Sequence, residues 1–466
     1  MLALLLIAFL ALVFTGISAL TYALQKITNI YRRREGKEET AAVLQGFVYT
    51  LLVLTILYVL ALGYVSVAGS AWESHLMEWL HIVLRLGHVT FGIAWIGASF
   101  YFVFLENALN RTENVREDLA GNLWAVHGGG FYYLEKYKVA PQQVPKHLHW
   151  FKYEAYFTWL TGISLLFVVY YFNARALLID PQIRDISALA AVTTGLGSFV
   201  AAWLLYHALC RTALLQKGGW FALAGLLLAT AFAWFYCQVF APRAAYIHFG
   251  AMLGTLMAGN VFFIIIPAQK ALVKAAKAGR SPDPGLGQHA GLRSLHNNYF
   301  TLPVLFVMIS NHFPTTFGHP HPWALLAAIS LGTAGIKHWL NLREKKQARA
   351  WVLPASVLLL LAIAFVSAPE KATDAACASP VSLAQVSQIV QQRCVSCHSA
   401  RPSDEVFRTA PKGVVLDAPA DIIRLQASIM QRVVITRTMP QHNKTRMTEA
   451  ERDLIRCWAQ QGQEGF

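Results

Sequence analysis

The residues with the clearest chemistry lie near the C-terminus, where two cysteines and a histidine form the motif Cys394-Val395-Ser396-Cys397-His398. This spacing is typical of the covalent attachment site of a c-type haem. On a short helix the two sulfurs reach the two vinyl groups at one edge of a porphyrin, and the next side chain points at the iron. A zinc site would need a second cysteine pair, and a disulfide would leave His398 unexplained. The motif therefore predicts one covalent haem c with His398 as its proximal ligand.

We expect a methionine sulfur as the sixth ligand of the iron, because this ligand is common in electron-carrying cytochromes and raises their potential. The candidate is Met439, which precedes Pro440 and so lies on an extended or turning segment. Met430 lies in a helical pattern and Met447 precedes the last helix, which makes both weaker candidates. With both axial positions filled by protein, this domain would relay single electrons and transform no substrate itself.

The last helix is predicted from Thr448 to Gln460. It begins with a capping box formed by Thr448 and Glu451. Ile455 and Trp458 share one face, as the cover of a small haem domain requires. Cys457, on the same helix, is predicted to be a packed thiol.

The composition indicates a membrane protein with several spans. The chain has 466 residues, of which 56% are hydrophobic and 14% charged. The net charge of +14 does not indicate nucleic-acid binding, because Lys and Arg concentrate in loops between apolar runs. The six cysteines do not form a disulfide framework in this interpretation. Cys210 and Cys237 are small buried hydrophobes, and Cys377 has no assigned role.

The predicted fold is all-α: a polytopic bundle followed by a cytochrome c-type helical domain. The domains are residues 1–368 in the membrane, a linker at 369–380 and the haem domain at 381–466. About ten apolar runs are long enough to span a bilayer. They lie at 1–24, 45–69, 76–106, 154–173, 186–209, 219–241, 246–268, 300–317, 322–341 and 351–368.

Loop charge predicts the orientation in the bacterial inner membrane. The loops rich in Lys and Arg are 25–44, 107–153, 269–299 and 342–350. The poorer loops are 70–75, 174–185, 242–245 and 318–321. The two sets alternate consistently if both termini lie outside, since positive loops stay in the cytoplasm. The haem domain then faces the periplasm, where bacteria attach haem covalently.

Ionisable side chains inside a bilayer are costly and usually functional. One predicted span carries His81, Arg85 and His88 on a single helix face. With this orientation His81 lies about 8 Å below the outer boundary and His88 near the midplane, at ~1.5 Å per residue. His248 and His312 also fall in the outer half. These residues predict a redox or substrate site beneath the haem domain.

Three interpretations of this histidine layer remain open. The histidines would ligate a b-type haem or another metal between helices. They would instead accept protons while Arg85 holds an anion. The third interpretation is a polar network that only holds helices together.

A glycine-rich stretch lies in the long loop 107–153, where His127 precedes Gly128, Gly129 and Gly130. Glycines beside a histidine and aromatics favour close approach of the backbone to a flat ring. An aromatic segment at the lipid headgroups is an equal alternative. The candidates for the membrane-domain site are therefore His81, Arg85, His88, His127, His248 and His312.

The chain resembles the bacterial membrane-bound urate oxidase (urate hydroxylase) family, in which a multi-span domain joins a C-terminal cytochrome c. The resemblance rests on His81 to Asn110, on Gly121 to Gly162 with its His-Gly-Gly-Gly-Phe core, and on Cys394 to His398 with Met439-Pro440. It implies oxidation of urate to 5-hydroxyisourate in purine degradation. Electrons would pass to the fused haem c, and not directly to oxygen with formation of hydrogen peroxide.

The resemblance also implies a downstream cytochrome c or cytochrome oxidase as electron acceptor. A haem takes one electron at a time, so urate would stay bound through a radical stage unless a second carrier is present. Two other functions are considered. The first is a respiratory electron-transfer or oxidase component unrelated to purines. The second is a transporter with a redox-sensing module, which inverted repeats would support.

Overall fold

The computed structural model describes residues 71–368, 377, 379–404, 407 and 409–461. It is 69% helical. The predicted spans at 1–24 and 45–69 lie outside the described residues. From Leu80 onward the structure forms one compact unit.

Ten helices precede the tail in the described part of the chain. In order they are α1 (Ala71–Ala108), α2 (Tyr153–Leu166), α3 (Ala188–Leu209), α4 (Gly218–Val239), α5 (Pro242–Gly259), α6 (Ile266–Lys277), α7 (Pro284–Ser310), α8 (Pro314–Phe317), α9 (Pro322–Glu344) and α10 (Val352–Val366). Short π-helical segments follow α2 and join α5 to α6, at Phe167–Tyr171, Ala174–Leu178 and Asn260–Ile265.

Four helices in the described residues are both long and apolar enough to cross a membrane. They lie within His75–Ala108, Ala188–Leu209, Gly218–Val239 and Pro242–Lys277. These helices indicate a membrane protein. Of the eight spans predicted within the described residues, four correspond to such a helix and four do not, so the prediction is too high for this part of the chain. An apolar run does not show where a helix ends or where polar side chains interrupt it, so the runs overcounted the spans in this part of the chain.

The predicted spans that fail do so for identifiable reasons. The run at 154–173 changes from α-helical to π-helical at Phe167. α7 ends at Ser310, and the chain turns before α8 begins at Pro314. α9 carries buried Lys337 and Asn341, and α10 has only 15 residues.

The long loop after α1 contains a β-hairpin, so the all-α prediction is wrong at this point. Strands β1 (Leu119–His127) and β2 (Gly130–Tyr137) pair antiparallel, and His127 lies opposite Gly130. Gly128 and Gly129 form the two-residue turn with φ of 56° and 79°. Positive φ at both turn residues matches the right-handed twist of a hairpin, which glycine permits without strain. The glycines therefore serve the turn, and a Cβ on either would contact nothing within 4 Å.

The tail has its own four helices and its own hydrophobic core. They are α11 (Leu383–Arg393), α12 (Pro419–Arg424), α13 (Gln426–Ile429) and α14 (Glu449–Gln461), with a π-helical segment at Met430–Ile435. Its core includes Val390, Ile422 and Ile455. The last helix is confirmed with its capping box, because Glu451 N donates to Thr448 Oγ1 and Thr448 N donates to Glu451 Oε2.

Cys377 and Cys457 form a disulfide across 80 positions of sequence. The prediction that Cys457 is a packed thiol is therefore wrong, and Cys377, to which the sequence assigned no role, is its partner. The error has a simple cause: sequence separation says nothing about which distant cysteines meet in space. Cys210 and Cys237 are free and buried, as predicted.

The tail packs against two loops of the membrane domain. Gln441 Nε2 donates to the Ala176 carbonyl at 2.7 Å. Gly318 lies so close that a Cβ there would be 3.0 Å from the Thr436 carbonyl oxygen. The charge of Asp180 acts on His442. These contacts fall on 174–185 and 318–321, two of the loops that are poor in Lys and Arg.

Candidate functional site

The haem motif begins where α11 ends. The amides of Cys397 and His398 both donate to the Cys394 carbonyl, which forms a tight turn. His398 Nδ1 lies 3.0 Å from the Val414 carbonyl oxygen. Because a carbonyl only accepts, Nδ1 carries the ring proton and Nε2 keeps its lone pair. Fixing one ring nitrogen in this way orients the other toward a metal and raises its basicity.

The Met439 segment is held by its backbone on both sides. Met439 N donates to the Arg432 carbonyl at 3.0 Å, and Arg452 Nη1 donates to the Met439 carbonyl at 2.9 Å. The Met439–Pro440 bond is cis. Met439 and Cys394 both pack against the tail core. An apolar face, a thioether and an oriented imidazole are what a haem with His/Met ligation requires.

The two motif cysteines are free thiols. Burial raises the pKa of the Cys394 thiol to about 12, and burial also raises the pKa of Cys397. A protonated thiol is a poor partner for disulfide exchange, since the thiolate is the nucleophile. The residues present therefore fit a covalently bound haem.

A second group of polar side chains lies at the end of the membrane domain that contacts the tail, which is the end predicted to be outside. Arg85 Nη2 donates to His81 Nε2 at 2.9 Å, on adjacent turns of α1. Arg243, at the start of α5, donates from Nε to Asn311 Oδ1 at 2.9 Å. The Tyr170 hydroxyl faces Arg243 and Asn311. Three elements of the bundle therefore bring two arginines and a phenol toward the tail.

Tyr170 is only 4% exposed. Its hydroxyl is buried and makes no hydrogen bond of adequate geometry with any part of the chain that the structure describes. Most buried polar groups in folded proteins have a partner, so a buried hydroxyl without one needs an explanation.

Two cations of the tail, Lys412 and Arg432, lie near Arg85 and Arg243. Burial lowers the pKa of the Lys412 amine. The positive charges of Arg243, Arg432 and Arg85 lower it further. The outer cation cluster, as we name it, therefore consists of Arg85 and Arg243 from the membrane domain and Lys412 and Arg432 from the tail.

The predicted histidines have different surroundings. His88 Nδ1 lies 3.0 Å from the Thr158 carbonyl, so its Nε2 is the unprotonated nitrogen. Its ring packs against Gly162, where a Cβ would be 2.9 Å from His88 Cε1. His312 is exposed just after α7.

His248 is fully buried and uses both ring nitrogens. Nδ1 lies 2.8 Å from the Ala244 carbonyl, and Nε2 lies 3.1 Å from the Tyr171 hydroxyl. Nδ1 therefore carries the proton and Nε2 accepts from Tyr171. Gly195 makes room for this pair, since a Cβ there would be 2.6 Å from the Tyr171 hydroxyl oxygen. In this arrangement His248 has no lone pair left for a metal.

His127 does not join the other candidates. It is exposed at the tip of the hairpin, which follows the C-terminal end of α1. Arg85 lies 23 residues before the end of this helix, and the axis from Arg85 to Ala108 is about 35 Å long. The structure thus brings together Arg85 and His81, with His88 one turn further along.

The sequence did not predict a buried amide network at the other end of α5, away from the tail, which we name the inner amide network. Asn260 Nδ2 donates to Asn297 Oδ1 at 2.8 Å and to the Tyr206 hydroxyl at 3.0 Å. Arg293 Nη1 donates to Asn260 Oδ1 at 3.2 Å. The signal was present, since Arg293 and Asn297 are four residues apart in α7 and share one face.

Buried Lys337 lies near the inner end of α9. It is 1% exposed, and its amine is 3.9 Å from the centre of the Phe100 ring. A cation over an aromatic face is stabilised by the ring quadrupole. Within the described residues no group of three His, Cys, Asp or Glu side chains is placed to hold a metal ion.

These features define a helical membrane protein with a globular tail. Residues 74–368 match the family described as Urate oxidase N-terminal, and this is more than half of the chain, so the chain belongs to that family. Membership indicates an oxidoreductase with urate as substrate. A comparison with curated proteins gave no match, and a comparison with solved structures gave none either.

The family match confirms the resemblance of the membrane domain. It ends at residue 368, before the tail begins. The haem assignment therefore depends on the tail's own residues.

Proposed function

We propose that this protein oxidises urate to 5-hydroxyisourate in its membrane domain and passes the electrons to a c-type haem in its tail. The observation that carries this proposal is the family match over 74–368, in a chain whose tail has an oriented His398 behind a pair of free thiols. The two parts pack against one another, so electrons would have a short path between them.

The reaction balances without oxygen as a reactant. Urate and water give 5-hydroxyisourate, two protons and two electrons. A haem bound at Cys394 and Cys397 would supply one-electron redox chemistry, with His398 and Met439 as axial ligands. Two electrons from one urate therefore need two successive transfers, after which a downstream cytochrome or oxidase would receive them.

The chain's own residues would bind urate and take its proton. Urate is an anion at neutral pH, and Arg85 presents a guanidinium that can hold two oxygens of a planar anion. His88 lies one turn further along α1, about 4.5 Å by helix rise. Its Nε2 has a lone pair, because Nδ1 is committed to Thr158. His88 is therefore the proposed proton acceptor.

The proposed location is the bacterial inner membrane, with the tail in the periplasm. Three observations support this orientation. The tail contacts loops that are poor in Lys and Arg, which are the loops expected outside. The Cys377–Cys457 disulfide is typical of an oxidising compartment. Covalent haem attachment in bacteria also takes place there.

The test is anaerobic mixing of the purified, oxidised protein with urate, while the α-band of the haem is followed by absorbance. We expect the band to appear, with two protein molecules reduced for each urate consumed. The double variant Cys394→Ser with Cys397→Ser should show no covalent haem in a pyridine haemochrome assay. A haem that is reduced by quinol but not by urate would overturn the proposal and favour a respiratory component.

A further inference from the structure

We propose that the substrate site is shared between the two domains, with one planar organic anion bound among four cations: Arg85, Arg243, Lys412 and Arg432. The identity of this anion as urate rests on the proposed function. The location of the site rests on the cluster itself. Neither domain alone would hold all four charges.

Four positive charges meet where the membrane domain contacts the tail. Arg85 and Arg243 lie at the end of the membrane domain that faces the tail, and Lys412 and Arg432 are brought to them from the tail. Like charges brought together at an interface repel each other, and an anion bound between them would remove that repulsion. The contact between Gln441 and Ala176 nevertheless holds the two domains together at this point.

The Tyr170 hydroxyl lies beside this cluster and can donate a hydrogen bond to a ligand. It is buried beside Arg243 and Asn311, and no described group makes a hydrogen bond of adequate geometry with it. A buried hydroxyl without a partner costs free energy in the unliganded protein. A bound anion with carbonyl oxygens, such as urate, would accept its hydrogen bond and remove that cost.

The two tail cations, Lys412 and Arg432, lie on the segments that hold His398 and Met439 in place. Lys412 precedes Val414 by two residues, and the Val414 carbonyl orients His398. The Arg432 carbonyl accepts from the Met439 amide. Each tail cation therefore lies on a segment that holds one predicted axial ligand. An anion bound between the domains would lie beside the haem, which suits direct electron transfer.

The test measures binding without turnover. Dithionite-reduced protein in neutral detergent has no oxidised haem, so urate can bind but cannot react. Equilibrium dialysis with radiolabelled urate then gives Kd. We expect Lys412→Gln and Arg432→Gln each to weaken binding about tenfold or more, because each removes a charge-assisted contact. The matched control is Arg424→Gln, an exposed tail cation paired with Asp421, which should leave Kd unchanged.

Tyr170→Phe separates ligand binding from a structural role. The substitution removes a hydroxyl that stabilises nothing in the described structure, so Tm should stay the same or rise. Urate binding should still weaken by about tenfold. A lower Tm with unchanged Kd would show that the hydroxyl supports the fold, and it would remove this part of the proposal.

A lipid phosphate in the outer leaflet shares the chemistry of an anion, so the dialysis is repeated with phosphatidylglycerol in the micelles. Unchanged Kd keeps the site for the free anion, whereas displacement of urate by the lipid would overturn the proposal. If wild-type protein oxidises urate but the Lys412 and Arg432 variants bind it normally, the shared site is wrong and the proposed function stands. If wild-type protein neither binds nor oxidises urate, the proposed function fails.

Discussion

The structure contains two groups of polar residues, the amide network within the membrane domain and the cation cluster between that domain and the tail, and they differ in how their hydrogen bonds are used. In the inner amide network, the Asn260 side chain donates hydrogen bonds to Asn297 and Tyr206 and accepts one from Arg293. Beside the outer cation cluster, the Tyr170 hydroxyl makes no hydrogen bond of adequate geometry with the described residues.

This difference separates structure from function. A network whose donors and acceptors pair with each other stabilises helix contacts in an apolar surrounding. A cluster of like charges beside an unpaired hydroxyl is costly until a ligand completes it. We therefore expect substitutions in the inner network to change stability, and substitutions in the outer half to change urate binding and turnover.

The largest expected effect is that of His88→Ala. Loss of the proton acceptor should lower kcat for urate by two to three orders of magnitude. The haem c should remain reducible by dithionite, since the tail is untouched. Added imidazole should restore part of the rate if His88 moves a proton, and it should restore nothing if the ring only packs against Gly162. Unchanged turnover would refute the role.

Asn260→Leu tests the other half of the comparison. The change leaves Asn297, Tyr206 and Arg293 without their shared partner, so we expect a loss of about 2–4 kcal/mol in stability. Thermal unfolding in detergent, followed by circular dichroism, measures this loss. Urate Kd should not change at temperatures where the variant is folded. A weaker Kd with normal stability would place the substrate site in the inner half and reverse the comparison.

The smallest expected effect is a pH dependence at the domain interface. Burial lowers the pKa of His442, and the charge of Asp180 partly opposes this. A group with a lowered folded pKa contributes stability above its unfolded pKa of about 6.5 and loses it as the pH falls. Unfolding of the tail by guanidinium should therefore become easier below about pH 6.5.

His442→Gln is the control for this prediction. Glutamine does not titrate, so its stability should vary less between pH 7 and pH 5 than that of the wild-type protein. An equal pH dependence in both proteins would assign the effect to other groups.

The tail could be predicted well from the sequence because its chemistry is local. The spacing of Cys394, Cys397 and His398 and the capping box of Thr448 are contained within a few residues. The outer cluster could be predicted only in part, since Arg85 was visible inside an apolar run. Arg243 and Lys412 lie in unrelated stretches, and only tertiary packing brings them to Arg85.

The errors of the sequence analysis also have physical causes. Apolar runs do not show where a helix ends, becomes π-helical or carries buried polar residues, so the span count was too high in the described part of the chain. The hairpin was missed because its Gly128-Gly129 turn was interpreted as a ligand contact, although two consecutive glycines also favour a two-residue turn. His127 was included as a candidate on that basis, and the structure places it at the exposed tip.

The disulfide between Cys377 and Cys457 has a consequence for how the tail moves. It links the final helix, α14, to the start of the tail at Cys377. Both ends of the tail are therefore joined to the chain at one position, 11 residues after Val366. From Val366 to Cys377 the chain can reach at most roughly 40 Å, at about 3.5 Å per residue. If the tail dissociates from the membrane domain, the short connection keeps its local concentration in the millimolar range, so it rebinds quickly. A few contacts, such as that of Gln441 with Ala176, are therefore enough to keep the tail bound to the membrane domain. Soluble electron carriers compete poorly for the same surface.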